Sequence, residues 1–267
     1  MVRIVLVGIL GCLIPLAAFA WYFHLQPSGP SAPRSNVSDA AIAARVGIQP
    51  SDLPGWASSA PTGNAFAAGA TSHGAAGLST AVQASAVMAR CLHVPISAVE
   101  GAFGMGSAIG QRTAELGSPV YADPSGNGGA VNSVVDVVKT PHVQQSNAAV
   151  FQDQALFATC YQPFVQAMLP YTTAGAPGEP VFATATVQPV PVPLPTGPES
   201  VQVAAFQIAR IANEPGQTAT VVTTAIAVFD GRVQTTLGTV SNFVFPIDTE
   251  NQLVRDMEIR TIGASRL

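Results

Sequence analysis

Between Val201 and Val240 the chain reads VQVAAFQIARIANEPGQTATVVTTAIAVFDGRVQTTLGTV, and the architecture follows from this stretch. Three strands are predicted, Val201 to Ala212, Thr218 to Phe229 and Arg232 to Val240, each rich in the β-branched and aromatic side chains that suit a pleated, half-buried surface. Asp230 and Gly231 join the last two as a tight hairpin, so the pairing is antiparallel.

Working outward, VNSVVDVVK at Val131 to Lys139 has the valine density of a well-buried strand, and we place it centrally. Ser146 to Leu169 follows, with Val150, Phe157, Cys160, Tyr161, Phe164 and Met168 at helical spacing, which predicts one long helix covering the sheet. Proline recurs from Tyr171 to Thr196, so at most Val181 to Val187 is an edge strand. Thr249 to Gln252 reads as a capping box, with Leu253, Val254 and Met257 on a last helix ending near Gly263.

Toward the N-terminus, Ser38 to Val46 is expected as a short helix and Gln49 to Trp56 as a turn-rich lead-in, with Trp56 as a core plug. Ser58 to Gly77 lacks hydrophobic period and reads as a mobile loop. Ser79 or Thr80 caps a helix through Leu92, and Ser97 with Glu100 forms a capping box for a brief helix that Gly104 ends. Helices, one strand, a long helix, several antiparallel strands and a closing helix give an α+β class, with an antiparallel β-sheet packed by helices.

At 267 residues the chain has room for one anchor and one domain. Ile4 to Phe23, IVLVGILGCLIPLAAFAWYF, carries no charge over the length that a helix needs to cross about 30 Å of hydrocarbon. Arg3 before it and Trp21, Tyr22 and Phe23 at its far end orient the bulk of the chain outward. Residues 1–25 are therefore expected as a transmembrane anchor, 26–37 as a Pro/Ser/Gly-rich stalk, and 38–267 as an extracytoplasmic domain at the cell membrane. Ala18, Phe19 and Ala20 also fit a signal-peptidase site, and Cys12 a lipidated cysteine; all three readings export the domain.

Export places Cys91 and Cys160 in an oxidising compartment, and we expect them to be bonded. The other reading is two unpaired buried thiols. A net charge of -4 and the single lysine, Lys139, remove the basic footprint of a nucleic-acid binder and exclude a P-loop lysine elsewhere.

Gly104, Gly106 and Gly110 form a G-x-G-x-x-x-G run one residue too long for a dinucleotide site, and no cofactor is expected. His73, His93 and His142 lie at wide spacings without the clustered Cys, Asp or Glu of a metal centre. No G-x-S-x-G elbow is present. Asp136 with Asp153, or Glu250 with Asp256, could pair as acid and base, but each carboxylate sits where an element's polar face would carry one anyway. Asn36 to Ser38 matches N-x-S, which matters only in a eukaryotic secretory pathway; the alanine and proline usage leads us to expect a bacterium, so the match is treated as chance.

PSDLPGW at Pro50 to Trp56, RCL at Arg90 to Leu92, VNSVVDVV followed by a helix ending in FATC, and the C-terminal hairpin plus helix resemble the PknH-like extracellular, sensor-like domains of actinobacteria and related envelope lipoproteins. The resemblance spans roughly residues 40–262. It implies an antiparallel sheet with helices and a cleft, a helix-to-helix disulfide, and binding of something at the envelope. No ligand residue transfers, and the chain lacks a kinase.

The expectation is a tethered, non-catalytic binding domain for a small or lipidic envelope molecule. The alternatives are an interaction or assembly protein of an envelope or secretion machine and, as a lesser option, a hydrolase.

Overall fold

A computed structural model describes residues 37–59, 74–103, 110–125, 129–172, 182–190, 202–214, 217–241 and 245–265. The expected anchor, the expected stalk up to residue 36, Cys12, His73, Gly104 and Gly106 lie outside them. Among the described residues no single helix is long and apolar enough to cross a membrane.

Eight strands form one antiparallel sheet: β1 (Ala57–Ser59), β2 (Arg112–Gly117), β3 (Val120–Ala122), β4 (Ala130–Val138), β5 (Phe182–Pro189), β6 (Gln202–Glu214), β7 (Gln217–Asp230) and β8 (Val233–Ser241). Their order is β1-β3-β4-β8-β7-β6-β5, and β2 pairs with the far half of β4 beyond β3. Six helices pack on it: α1 (Asp39–Val46), α2 (Gly74–Leu92), α3 (Ile96–Ala102), α4 (Pro141–Ala149), α5 (Gln154–Thr172) and α6 (Ile247–Ser265). The α+β class and the antiparallel sheet packed by helices are thus present, with β4 interior and β5 at an edge as expected. The hairpin is shifted by one residue. Asp230 pairs with Val233, so Gly231 and Arg232 make the turn, with Gly231 at φ +56°.

Alternation along the strands divides the core in two. On the inner face Ala204, Phe206 and Ile208 of β6 and Ala225, Ala227 and Phe229 of β7 meet α2 to α5. Phe103, Phe151, Phe157, Tyr161, Phe164 and Phe206 form one aromatic cluster there, with ring centroids 4.8–6.3 Å apart. On the outer face Val131, Ile226 and Leu237 pack against Leu253, Val254 and Met257 of α6, while Val135, Val137 and Val233 meet Ile42, Ala43 and Val46 of α1.

Several local expectations are corrected. The single helix over Ser146 to Leu169 is two helices: Thr140 caps α4, Asp153 caps α5 through the Leu156 N–H at 2.9 Å, and the turn between them buries Val150 and Phe151. The apolar stripe crosses the break because Val150 in the turn joins the same inner core as the large side chains of α5, whereas α4 buries Gln144, Asn147 and Ala148. α2 begins at Gly74, ahead of Ser79, because alanine and leucine propagate a helix without a strong apolar period. Neither expected capping box forms: Pro95 precedes α3 without a side-chain cap, and α6 starts two residues before Thr249. A capping box does occur at Gln49 and Asp52, around the 3-10 turn Pro50–Asp52, and Ser38 caps α1.

Candidate functional site

The outer face carries a row of polar side chains that the strand register lines up: Gln188 of β5, Gln207 of β6, Thr224 of β7 and Thr239 of β8. Strands about 4.8 Å apart put this row across roughly 14 Å of sheet. Gln188 Nε2 donates to Gln207 Oε1 at 2.9 Å, and Gln207 Nε2 to Thr224 Oγ1 at 3.4 Å. Thr239 Oγ1 donates to Glu250 Oε2 at 2.9 Å in the first turn of α6. Gln188 is exposed and Gln207 half-buried, whereas Thr239 is 1% and Glu250 8% exposed. The row therefore runs from solvent into a dry carboxyl.

Glu250, Val254 and Glu258 fall at i, i+4 and i+8, one stripe of α6 that extends about 12 Å. Glu258 is 9% exposed and has no hydrogen-bond or ion-pair partner among the described residues. Burial pushes both carboxyls above the ordinary glutamate range, opposed at Glu250 by the Thr239 bond. Next to α6 the outer face is uncovered: Thr184, Thr186 and Gln188 are exposed, and Gln207, Ala209 and Val222 are half-buried. Helix and sheet thus form a shelf with hydroxyl, amide and carboxyl groups along its floor and wall, next to Val190 and Val203.

The other flank of α6 is clamped. Arg260 donates to Asp52 Oδ1 and Oδ2 at 2.6 and 2.7 Å and to the Gly47 carbonyl at 3.1 Å. Burial alone would raise the Asp52 carboxyl, but the guanidinium and the Gln49 N–H pull it below the usual range. Tyr121, in the same register row beyond Val131, has a buried hydroxyl without a partner among the described residues. Burial and the Asp52 charge push its pKa above the ordinary tyrosine range, so the phenol stays protonated. Trp56 tilts on Phe245 with centroids 5.8 Å apart, closing this flank.

The residues singled out in the sequence are dispersed. Cys91 in α2 and Cys160 in α5 are bonded, with Cα atoms 5.7 Å apart, and tie two inner-face helices together. Asp136 lies on the inner face and pairs with Arg112, which also pairs with Glu115; a bulge at Thr113 turns both β2 side chains to that face. Asp153 caps a helix, and Asp256 accepts a surface bond from Gln252. Of the four carboxylates, only Glu250 reaches the shelf, and the described contacts join neither proposed pair. His93 and His142 are exposed on separate elements, and among the described residues no group of three or more His, Cys, Asp or Glu could hold a metal ion. Gln188, Gln207 and Glu258 were not singled out, because only the pairing register aligns the glutamines and only the tertiary packing buries the stem of the glutamate.

No protein-family description and no curated protein matches the chain. Among solved structures it is similar to the extracellular domain of PknH from Mycobacterium tuberculosis, at 11% identity and a TM-score of 0.32 over 59% of this chain and 66% of that chain, just under two thirds of its length. A likeness this weak transfers neither activity nor ligand.

Proposed function

We propose that the chain is a membrane-tethered, extracytoplasmic, non-catalytic binding domain, and that its site is the outer-face shelf beside α6. The observation that carries this reading is the polar row from exposed Gln188 to buried Glu250, with the carboxyl of Glu258, which has no protein partner among the described residues, on the same stripe of α6. The Glu258 carboxyl has no protein partner among the described residues and its oxygens still meet solvent, so at an open shelf it can accept a hydrogen bond from a ligand in exchange for water. The two carboxyls disfavour an anionic headgroup. The expected ligand is a small envelope molecule, neutral or cationic, with hydroxyl or amine donors on an apolar body that lies along Val190, Val203 and Val254. Export is supported by the apolar N-terminal segment and by the Cys91–Cys160 bond.

Native mass spectrometry of the full chain, purified in mild detergent from its own kind of cell, tests the proposal. Wild-type protein should retain a small mass that E258Q and Q207A lose while keeping a native circular dichroism spectrum. An apo mass for the wild type, or a small mass that both variants retain, would remove the shelf as the site. Stoichiometric co-purification of a protein in place of a small molecule would support the assembly reading instead.

A further inference from the structure

The outermost strand, β5, has a second set of hydrogen bonds where a neighbouring strand would lie. Gln166 Nε2 donates to the Ala183 carbonyl, and Gln166 Oε1 accepts from the Ala185 N–H, both at 3.2 Å. Gln162 Nε2 donates to the Ala185 carbonyl at 2.5 Å, and Gln162 Oε1 accepts from the Val187 N–H at 2.6 Å. The two glutamines are one turn apart on α5, so their amides stack along the strand and present N–H and C=O groups in the order that a strand backbone would.

The four occupied groups are self-complementary. Ala185 directs both its N–H and its C=O outward, as the central residue of a hydrogen-bonded antiparallel pair does. A two-fold axis at Ala185 would match Ala185 with the Ala185 of a second copy, and the Ala183 carbonyl with that copy's Val187 N–H. An edge of this kind is a template for self-pairing unless something covers it.

We propose that Gln162 and Gln166 are a strand mimic that holds the β5 edge shut, and that the partner they exclude is a second copy of this chain paired antiparallel through β5. This inference is independent of the shelf, because it concerns the backbone edge of β5 and not the outer-face side chains.

Analytical ultracentrifugation of the full chain in density-matched detergent tests it. Q162A/Q166A should show a concentration-dependent dimer absent from wild type. Adding A185P in that background should restore the wild-type distribution: the Ala185 N–H has no intramolecular acceptor once Gln166 is gone, and proline is tolerated on an edge strand. A Q162A/Q166A protein that stays at the wild-type mass with a native circular dichroism spectrum would overturn the proposal, as would a dimer that survives A185P. Should the double variant fail to fold, hydrogen exchange of Q166A decides. The Ala185 amide, protected in wild type, should exchange at least about tenfold faster, and unchanged protection would reject the mimic.

Discussion

Single residues decide how the outer face is held. The Arg260 fork on Asp52 joins α6 to the 3-10 turn through two charge-assisted bonds, and R260A should cost about 1–3 kcal/mol of unfolding free energy by urea titration. Titration should separate two kinds of carboxyl. At Asp52 and Asp39 the folded form binds its proton less tightly than the unfolded chain, because the paired arginines outweigh burial. The stability they add is present above the ordinary aspartate range and is lost as pH falls through the lowered values. Glu250 and Glu258 act in the opposite direction: their contribution is present below the ordinary glutamate range and is lost as pH rises through the raised values. E258Q, which keeps the shape of the protonated acid, should therefore melt above wild type at neutral pH without ligand and lose that advantage near pH 4. A melting temperature for E258Q at or below wild type at both pH values would show that Glu258 is satisfied in the free protein. On the inner side, Gly101 leaves no space for a side chain: a Cβ there would collide with the Asn147 side-chain amide. Asn147 Nδ2 donates to Gln234 Oε1, and Gln234 Nε2 to the Ala102 carbonyl, so G101A should loosen α3 and α4 together and cost about 1–3 kcal/mol in the same titration.

At the scale of elements, the inner layer rests on the α2–α5 disulfide and the aromatic cluster. Reduction opens a loop of 69 residues and should lower stability by up to about 4 kcal/mol, seen as a reductant-dependent fall in melting temperature. Phe157, 2% exposed at the centre of the rings, should cost about 3–5 kcal/mol as F157A. The elements legible in the sequence were those whose burial writes a period into the chain: β4 with its valines, β6 to β8 with the Asp230–Gly231 signal, and the two helices that carry the cysteines. Those missed were short or dependent on partners. β1 and β3 span three residues each, and β2 reads RTAELG, with an arginine and a glutamate turned to one face by a bulge that only the β4 register reveals. The break between α4 and α5 was hidden for a related reason, since Val150 in the turn joins the core that α5 buries and so extends the stripe past the start of α5. The shelf was the least legible feature. Glutamine and threonine on a strand read as solvent-facing alternation, and a glutamate on an amphipathic helix reads as its wet side. Pairing register aligns the former, and packing against the sheet covers much of the latter.

Over the whole molecule, one sheet separates two unlike surfaces. The inner layer is closed by four helices, a disulfide and stacked rings. Among the described residues α1 and α6 cover the outer layer over β2, β4, β8 and part of β7, while Thr184, Thr186 and Gln188 of β5 are exposed and Gln207 and Ala209 of β6 half-buried. That asymmetry puts a rigid platform behind a partly open face, an arrangement suited to holding a ligand without remodelling the fold. The proposed anchor and envelope ligand, and an oxidising setting for the Cys91–Cys160 bond, all require residues from about 38 onward to lie across a bilayer from the cytosol. The most direct test fuses to the C-terminus a reporter that is active only after export, with a cytosol-active reporter fused in parallel. The account predicts activity from the first and silence from the second; a bright cytosolic reporter beside a silent exported one would contradict it.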